Sequence, residues 1–126
     1  DADIRCPLEY GLTIFGGKSG EYPQKLYKAL MNSQTVLTVW DDARLVGLIR
    51  VLDDSEMLAQ IHYVLVHPEY QGQGIAGRMV EYIKEKYKNF MYLELMPEDK
   101  NNVPFYEKHG FHVMENGAAM QICNIN

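Results

Sequence analysis

The sequence predicts an α+β fold, a mixed and mostly antiparallel sheet with helices on both faces. Three observations carry that expectation. Two β-rich runs, 35–40 and 45–52, flank the turn Asp41-Asp42-Ala43-Arg44 and read as a hairpin. The run LAQIHYVLV (58–66) is apolar on both faces, as a central strand is. After it and a short turn, a glycine-rich loop opens a segment whose apolar residues recur at helical spacing.

Taken in order, residues 1–20 resist a helical reading, because Gly11, Gly16, Gly17 and Gly20 interrupt it. The stretch GGKSG (16–20) resembles the end of a phosphate-binding P-loop, but Leu12 stands where that motif needs its first glycine, and a loop is the better reading. From Tyr22 to Met31, Leu26 and Leu30 share a helical face with Tyr27 and Met31 beside them. The hairpin follows, then a turn at Asp53-Asp54-Ser55 and the central strand. Beyond the glycine loop, Ile75, Met79, Val80, Ile83 and Tyr87 form one helix face, opposite Glu81, Lys84 and Glu85. MYLEL (91–95) reads as a strand. A short helix capped by Asn102 runs through His109, with Gly110 in the left-handed position after it. Two last strands are expected at 111–114 and 119–125.

The chain has 126 residues, 47% of them apolar and 23% charged, which fits one compact domain over 1–126. A net charge of -5 argues against nucleic acid as a partner, since such proteins present a basic face. The run Lys84, Lys86, Lys88 reads as the solvated end of a helix. Cys6 and Cys123 make no disulfide framework, and idle thiols in a reducing cytoplasm are the expectation. No stretch carries the ~18 apolar residues a membrane span needs, so no membrane partner is expected. The first residue is Asp1 rather than Met, which fits a processed, tagged or truncated start.

Gly72, Gly74 and Gly77 spell G-x-G-x-x-G, the dinucleotide fingerprint. A strand precedes it, a helix follows, and Glu94 lies about where a ribose-binding acid belongs. Against NAD, five residues (67–71) separate the strand from the first glycine, and the remaining chain is too short for a doubly wound sheet. The loop's physics is more general. Glycines let the backbone aim N–H groups at one point, and a helix N-terminus favours phosphate oxygens. An ordinary glycine-rich connector is the plainer reading of the same residues.

The stretch VHPEYQGQGIAGRMV (66–80) resembles the cofactor motif of the GNAT superfamily of acetyl-CoA-dependent N-acetyltransferases, with Gln71, Gly74 and Ala76 in the slots of [Arg/Gln]-x-x-Gly-x-[Gly/Ala]. NNVPFYEKHGF (101–111) is similar to that family's second motif, aromatic-Tyr-x-x-x-Gly-Phe. The resemblance runs from about Leu37 to the C-terminus. Residues 59–74 look most like the arylalkylamine and plant serotonin-type enzymes and their small bacterial relatives. The resemblance implies a GNAT-like fold and acetyl-CoA as cosubstrate, in a cleft where the central strand splays from its neighbour. The pyrophosphate would rest on Gln71, Gly72, Gln73, Gly74, Ile75, Ala76 and Gly77. The pantetheine would pair along Val64, Leu65 and Val66.

Acetylation of an amine needs a proton removed from the amine, a donor for the oxyanion and a proton for the departing thiolate. By the motif match, Tyr106 stands beside the CoA sulfur as proton donor; from spacing alone it reads as a core aromatic beside Phe105. His62 is the candidate base, with an ordinary pKa of ~6.5. By simple alternation Gln60, His62, Val64 and Val66 share one face and Ile61, Tyr63 and Leu65 the other. Arylalkylamine enzymes carry His-x-His on this strand; here Gln60 fills the first slot, and Tyr63 stands where many bacterial relatives have Asp. A structural His62, or a water route through Glu94, are the alternatives. A backbone N–H near Val64 is the expected oxyanion donor. His109 and His112 straddle Gly110 and predict no metal site. Tyr10, Phe15, Tyr22 and Trp40 are candidates for the acceptor pocket. The expected acceptor is a small primary amine or a protein lysine, and a homodimer is within the expectation. A non-catalytic acetyl-CoA sensor is the rival reading, with an NAD-binding protein behind it.

Overall fold

A computed structural model describes residues 22–125. The readings made on 1–21, including Cys6, Tyr10, Phe15 and the GGKSG loop, lie outside the described residues. The chain forms two compact units that divide after Leu95.

The first unit opens with α1 (Pro23–Met31), whose proline sits where a helix start leaves an N–H unpaired anyway. Strands β1 (Thr35–Asp41), β2 (Arg44–Asp53), β3 (Leu58–Val66) and β4 (Tyr92–Leu95) form one sheet in that spatial order. The first two pairings are antiparallel and β3–β4 is parallel. The mixed, mostly antiparallel sheet is the expected one. Helix α2 (Ile75–Lys86) crosses over between β3 and β4. Asp54 closes the β2–β3 turn by accepting from the amides of Glu56, Met57 and Leu58 at 2.9, 2.8 and 3.1 Å, which holds its carboxyl below the usual range.

The helices cover opposite faces, also as expected. On one face, Leu26 and Leu30 of α1 bury against Val36, Leu45 and Leu48, with Trp40, Tyr63 and Leu65 packed on that cluster. On the other lies α2, whose Met79, Val80 and Ile83 are buried. It comes so close to β2 that a Cβ on Gly47 would stand 3.1 Å from Ile75 Cγ2 and 3.3 Å from Met79 Sδ. Ile49 and Val51 alternate with Gly47 onto the same side.

Register corrects the facing of the central strand. Tyr63 pairs with Arg50, but Ile61 pairs with Val51, so His62 is one residue extra on β3. That is a β-bulge, and it resets the alternation. Ile61 and Val64, opposite Val51 and Ile49, therefore share the α2 face rather than opposing faces.

The second unit holds a turn at Lys100–Asn102 and helix α3 (Val103–Lys108). Asn102 is the N-cap residue, but its side chain makes no cap bond. The capping carboxylate is Asp99, which accepts from the Asn101 amide at 2.9 Å and starts the preceding turn. The expected strands at 111–114 and 119–125 do not form. A period-2 pattern supplies a face, but a strand exists only through a ladder partner, and the sheet contains β1–β4 alone among the described residues. Met120 and Ile122 accordingly stand 93% and 87% exposed. Cys123 is exposed as well.

Candidate active site

β3 stays paired with β4 only as far as Ile61 opposite Leu95, yet it continues to Val66. Over residues 62–66 its β4 side is therefore without the β4 ladder. The His67 amide donates to the Val46 carbonyl at 2.8 Å, toward β2. Backbone alternation then turns Val66 and Val64 outward, away from β2. The Gln71 side chain reaches the Val66 carbonyl from that open side, donating through Nε2 at 3.2 Å. Leu65 packs toward α1 and Val64 lies on the α2 face.

The turn after β3 is tied down at both ends. Pro68–Tyr70 forms one 3₁₀ turn, started by His67 Nδ1 accepting from the Glu69 amide at 3.1 Å. The Tyr70 hydroxyl donates to Asp41, which pushes the phenol above its ordinary value, and Arg44 lies 5.5 Å over the Tyr70 ring while bridging Glu69 at 3.2 Å. The β1–β2 hairpin thus fixes where the glycine loop begins. Gly72 and Gly74 then take φ of +82° and +83°. Gly74 is the left-handed N-cap of α2, and the first helical bond runs from the Arg78 amide to the Gly74 carbonyl at 3.1 Å. The amides of Ile75, Ala76 and Gly77 precede that bond, at the positive end of the helix dipole. The first turn of α2 holds no acid and its last turn holds Lys84 and Lys86.

His62 sits on the bulge, its ring centroid 4.4 Å from that of Tyr63. Its Nδ1 lies 2.5 Å from Arg50 Nη1. In the second unit, Tyr106 lies in α3, and the turn after the helix shapes its surroundings. The Phe111 amide donates to the Tyr106 carbonyl (3.1 Å) and the Gly110 amide to the Glu107 carbonyl (3.1 Å), with Gly110 at φ +93°. This is the six-to-one, five-to-two closure that a left-handed glycine permits. The expected position of Gly110 is the observed one. The rings of Phe105 and Phe111 stand 5.0 and 6.0 Å from Tyr106. Burial pushes the Tyr106 phenol above its ordinary value, so it stays protonated throughout the neutral range.

Residues 9–111 match the acetyltransferase (GNAT) family model. The chain belongs to the GNAT acetyltransferase family. Among curated relatives, an uncharacterized N-acetyltransferase of Prochlorococcus marinus is 28% identical over 99 residues, 75% of this chain and 55% of that protein. An uncharacterized N-acetyltransferase of Bacillus methanolicus is 34% identical over 73 residues, 57% of this chain and 58% of that protein. This GNAT chain thus spans just over half the length of those relatives. The crystal structure of a protein of unknown function from meticillin-resistant Staphylococcus aureus, a probable acetyltransferase, superposes with a TM-score of 0.85 at 30% identity, covering 98% of this chain and 96% of that one. A GNAT acetyltransferase of Elizabethkingia anophelis with acetyl-CoA bound has the same fold, with a TM-score of 0.67, 19% identity and coverage of 90% and 72%.

Against the family pattern, the first unit brings together β3 at Val64, Leu65 and Val66, the loop from Gln71 to Gly77, and His62. Tyr106 belongs to the second unit. Trp40 is part of the α1-side cluster and Tyr22 is exposed. Arg50 is the residue the sequence reading did not single out, although a charge inside the apolar run LVGLIRVL was its visible signal. Among the described residues, no group of three or more His, Cys, Asp or Glu could hold a metal, and no helix is long and apolar enough to cross a membrane.

Proposed function

We propose that the two units act as one N-acetyltransferase domain that moves an acetyl group from acetyl-CoA to a primary amine by direct attack in a ternary complex, in a reducing cytoplasm. One observation carries the reading: a strand whose backbone opens outward at Val64 and Val66 runs into a loop that ends at an uncapped helix start. The pantetheine amides take strand partners at 64–66, and the pyrophosphate takes the amides of the glycine loop and the α2 dipole. This fits the donors present, because the loop offers N–H groups and no acid.

In the proposed reaction the amine nitrogen attacks the acetyl carbonyl, the C–N bond forms and the C–S bond breaks. Tyr106 gives its phenolic proton to the departing thiolate. His62 stands at the acceptor end. With Nδ1 held by Arg50 it carries its proton on Nε2, and the amine gives its own proton to water. The likeness of residues 59–74 to the arylalkylamine group makes small arylalkylamines the first acceptors to try, ahead of polyamines and protein lysine.

Differential melting tests the cosubstrate. Binding to the native state alone adds about 2.7 kcal/mol at a hundredfold excess over Kd, enough for a shift of several degrees. Acetyl-CoA should give that shift and NAD should not; the reverse pattern would end the reading. Release of CoA with a panel of amines then separates an enzyme from an acetyl-CoA sensor, which binds without turnover.

A further inference from the structure

Arg50 is half-buried on the α1 face of β2, and burial pulls its guanidinium below its ordinary value. Among the described residues its side-chain partners are a serine and a histidine, not a carboxylate. The direction of every bond in this chain is fixed by chemistry. Ser33 Oγ donates to the Ala29 carbonyl in α1 at 2.7 Å, so its oxygen accepts from Arg50 Nε at 2.7 Å. Arginine has five N–H donors and no acceptor. At the 2.5 Å contact with Arg50 Nη1, His62 Nδ1 must therefore be the lone-pair nitrogen. In a neutral imidazole the proton is then on Nε2.

We propose that Arg50 is a positioning residue that holds His62 as the neutral Nε2–H tautomer, so that His62 serves as a hydrogen-bond donor and not as a general base. The kinetic side of this rests on reading His62 as the acceptor-end residue; the tautomer itself does not. Protonating Nδ1 would set two cations 2.5 Å apart and break the bond, so the ring gains a second proton only if Arg50 withdraws. The bulge supplies the geometry. As the residue extra to the β2–β3 register, His62 can turn toward the strand partner that already faces Tyr63. Among the described residues, Arg50 from β2 and Tyr63 on β3 lie against the ring, and Ser33 beyond α1 acts on it through Arg50. Glu94 of β4 is in register with Gln60, two residues before His62.

Nitrogen-15 NMR of histidine-labelled protein tests the state of the ring directly. The four histidine signals are assigned with a His62→Gln variant. The wild type should show His62 as the Nε2–H tautomer, without titration between about pH 5.5 and 7.5. In Arg50→Met, which keeps the stem and loses the donors, His62 should titrate with a midpoint near ~6.5. Ser33→Ala, which frees Arg50 from α1 without touching the imidazole, should move the ring part of the way and guards against a misfolded Arg50→Met. With an accepted amine, kcat/KM against pH should gain an ionisation near ~6.5 in Arg50→Met that the wild type lacks. A wild-type ring that titrates normally near ~6.5, or that carries its proton on Nδ1, overturns the proposal. Failure of every amine leaves the NMR result intact and counts against the acetyltransferase reading instead.

Discussion

Tyr87 donates its phenolic proton to Asp53 Oδ2 at 2.6 Å. Because that proton is committed, Thr35 Oγ1, 2.7 Å away, must donate to the Tyr87 oxygen. Tyr87 follows the last turn of α2, Thr35 begins β1 and Asp53 ends β2. The pair therefore ties the far end of α2 to the sheet, opposite the end that carries the glycine loop.

Tyr87→Phe should cost about 1–3 kcal/mol, the range for losing a hydrogen bond to a charged group at a site where Tyr87 and Thr35 are only 4% and 2% exposed. Urea unfolding measures it. Burial first, and the Asp53 bond second, push the phenol up to about 12. A raised folded-state value means the native form holds the proton more tightly. That contribution is complete below the unfolded value of ~10 and is lost as pH rises toward 12, amounting to at most about 3 kcal/mol. Tyr87→Phe should flatten this alkaline limb; an unchanged limb would show that another group causes it.

Gly74→Val should abolish acetyl-CoA binding while the sheet survives. Among the described residues no atom lies within 4 Å of a Cβ built on Gly74, so crowding by them is not the cause. The cost is the left-handed φ of +83°, worth roughly 1–2 kcal/mol for an ordinary residue and more for a β-branched one. The loop relieves that strain by turning its amides elsewhere. Calorimetric titration with acetyl-CoA, beside circular dichroism, reads both halves, and normal affinity would remove the loop from the site.

Tyr106→Phe should lower turnover by a factor on the order of 10² or more and leave acetyl-CoA affinity almost unchanged. The raised phenol value means the wild type keeps its donor past pH ~10, so no loss of activity from this group is expected in the neutral range. Steady-state kinetics on both proteins decide it. Equal kcat takes Tyr106 out of the reaction.

Gly110→Ala should reach the same residue indirectly. A Cβ at φ +93° costs roughly 1–2 kcal/mol and loosens the closure that holds the Tyr106 carbonyl. Turnover should fall further than thermal stability does, and Gly110→Asn, which tolerates left-handed backbone better, should recover part of the loss.

Much of this was legible because the signals are local. The apolar run over Leu58–Val66 is bounded by turn residues, and the observed strand has those limits. Helix α2 starts where its periodicity starts, at Ile75. The bulge was not legible, since register is a property of two strands and neither sequence alone states that Arg50 meets Tyr63 while Val51 meets Ile61. The same reason explains the strands expected beyond Phe111. Their alternation is real, and a strand still requires a partner's N–H and C=O groups. For the candidate site, glycine spacing pointed to the loop. The link from Ser33 through Arg50 to His62 joins three separate elements, so no window of sequence contains it.

The extra residue on β3 has a consequence for how this strand tolerates insertion and deletion. Removing His62 outright would leave Ile61 opposite Val51 and Tyr63 opposite Arg50, each pairing as it is now. The sheet would become more regular, with every core side chain on its present face. A one-codon deletion here is thus a milder lesion to the scaffold than a deletion at Ile61, after which His62 would fall opposite Val51 in place of a buried apolar side chain. The imidazole sits in the strand as a one-residue addition that the packing does not require.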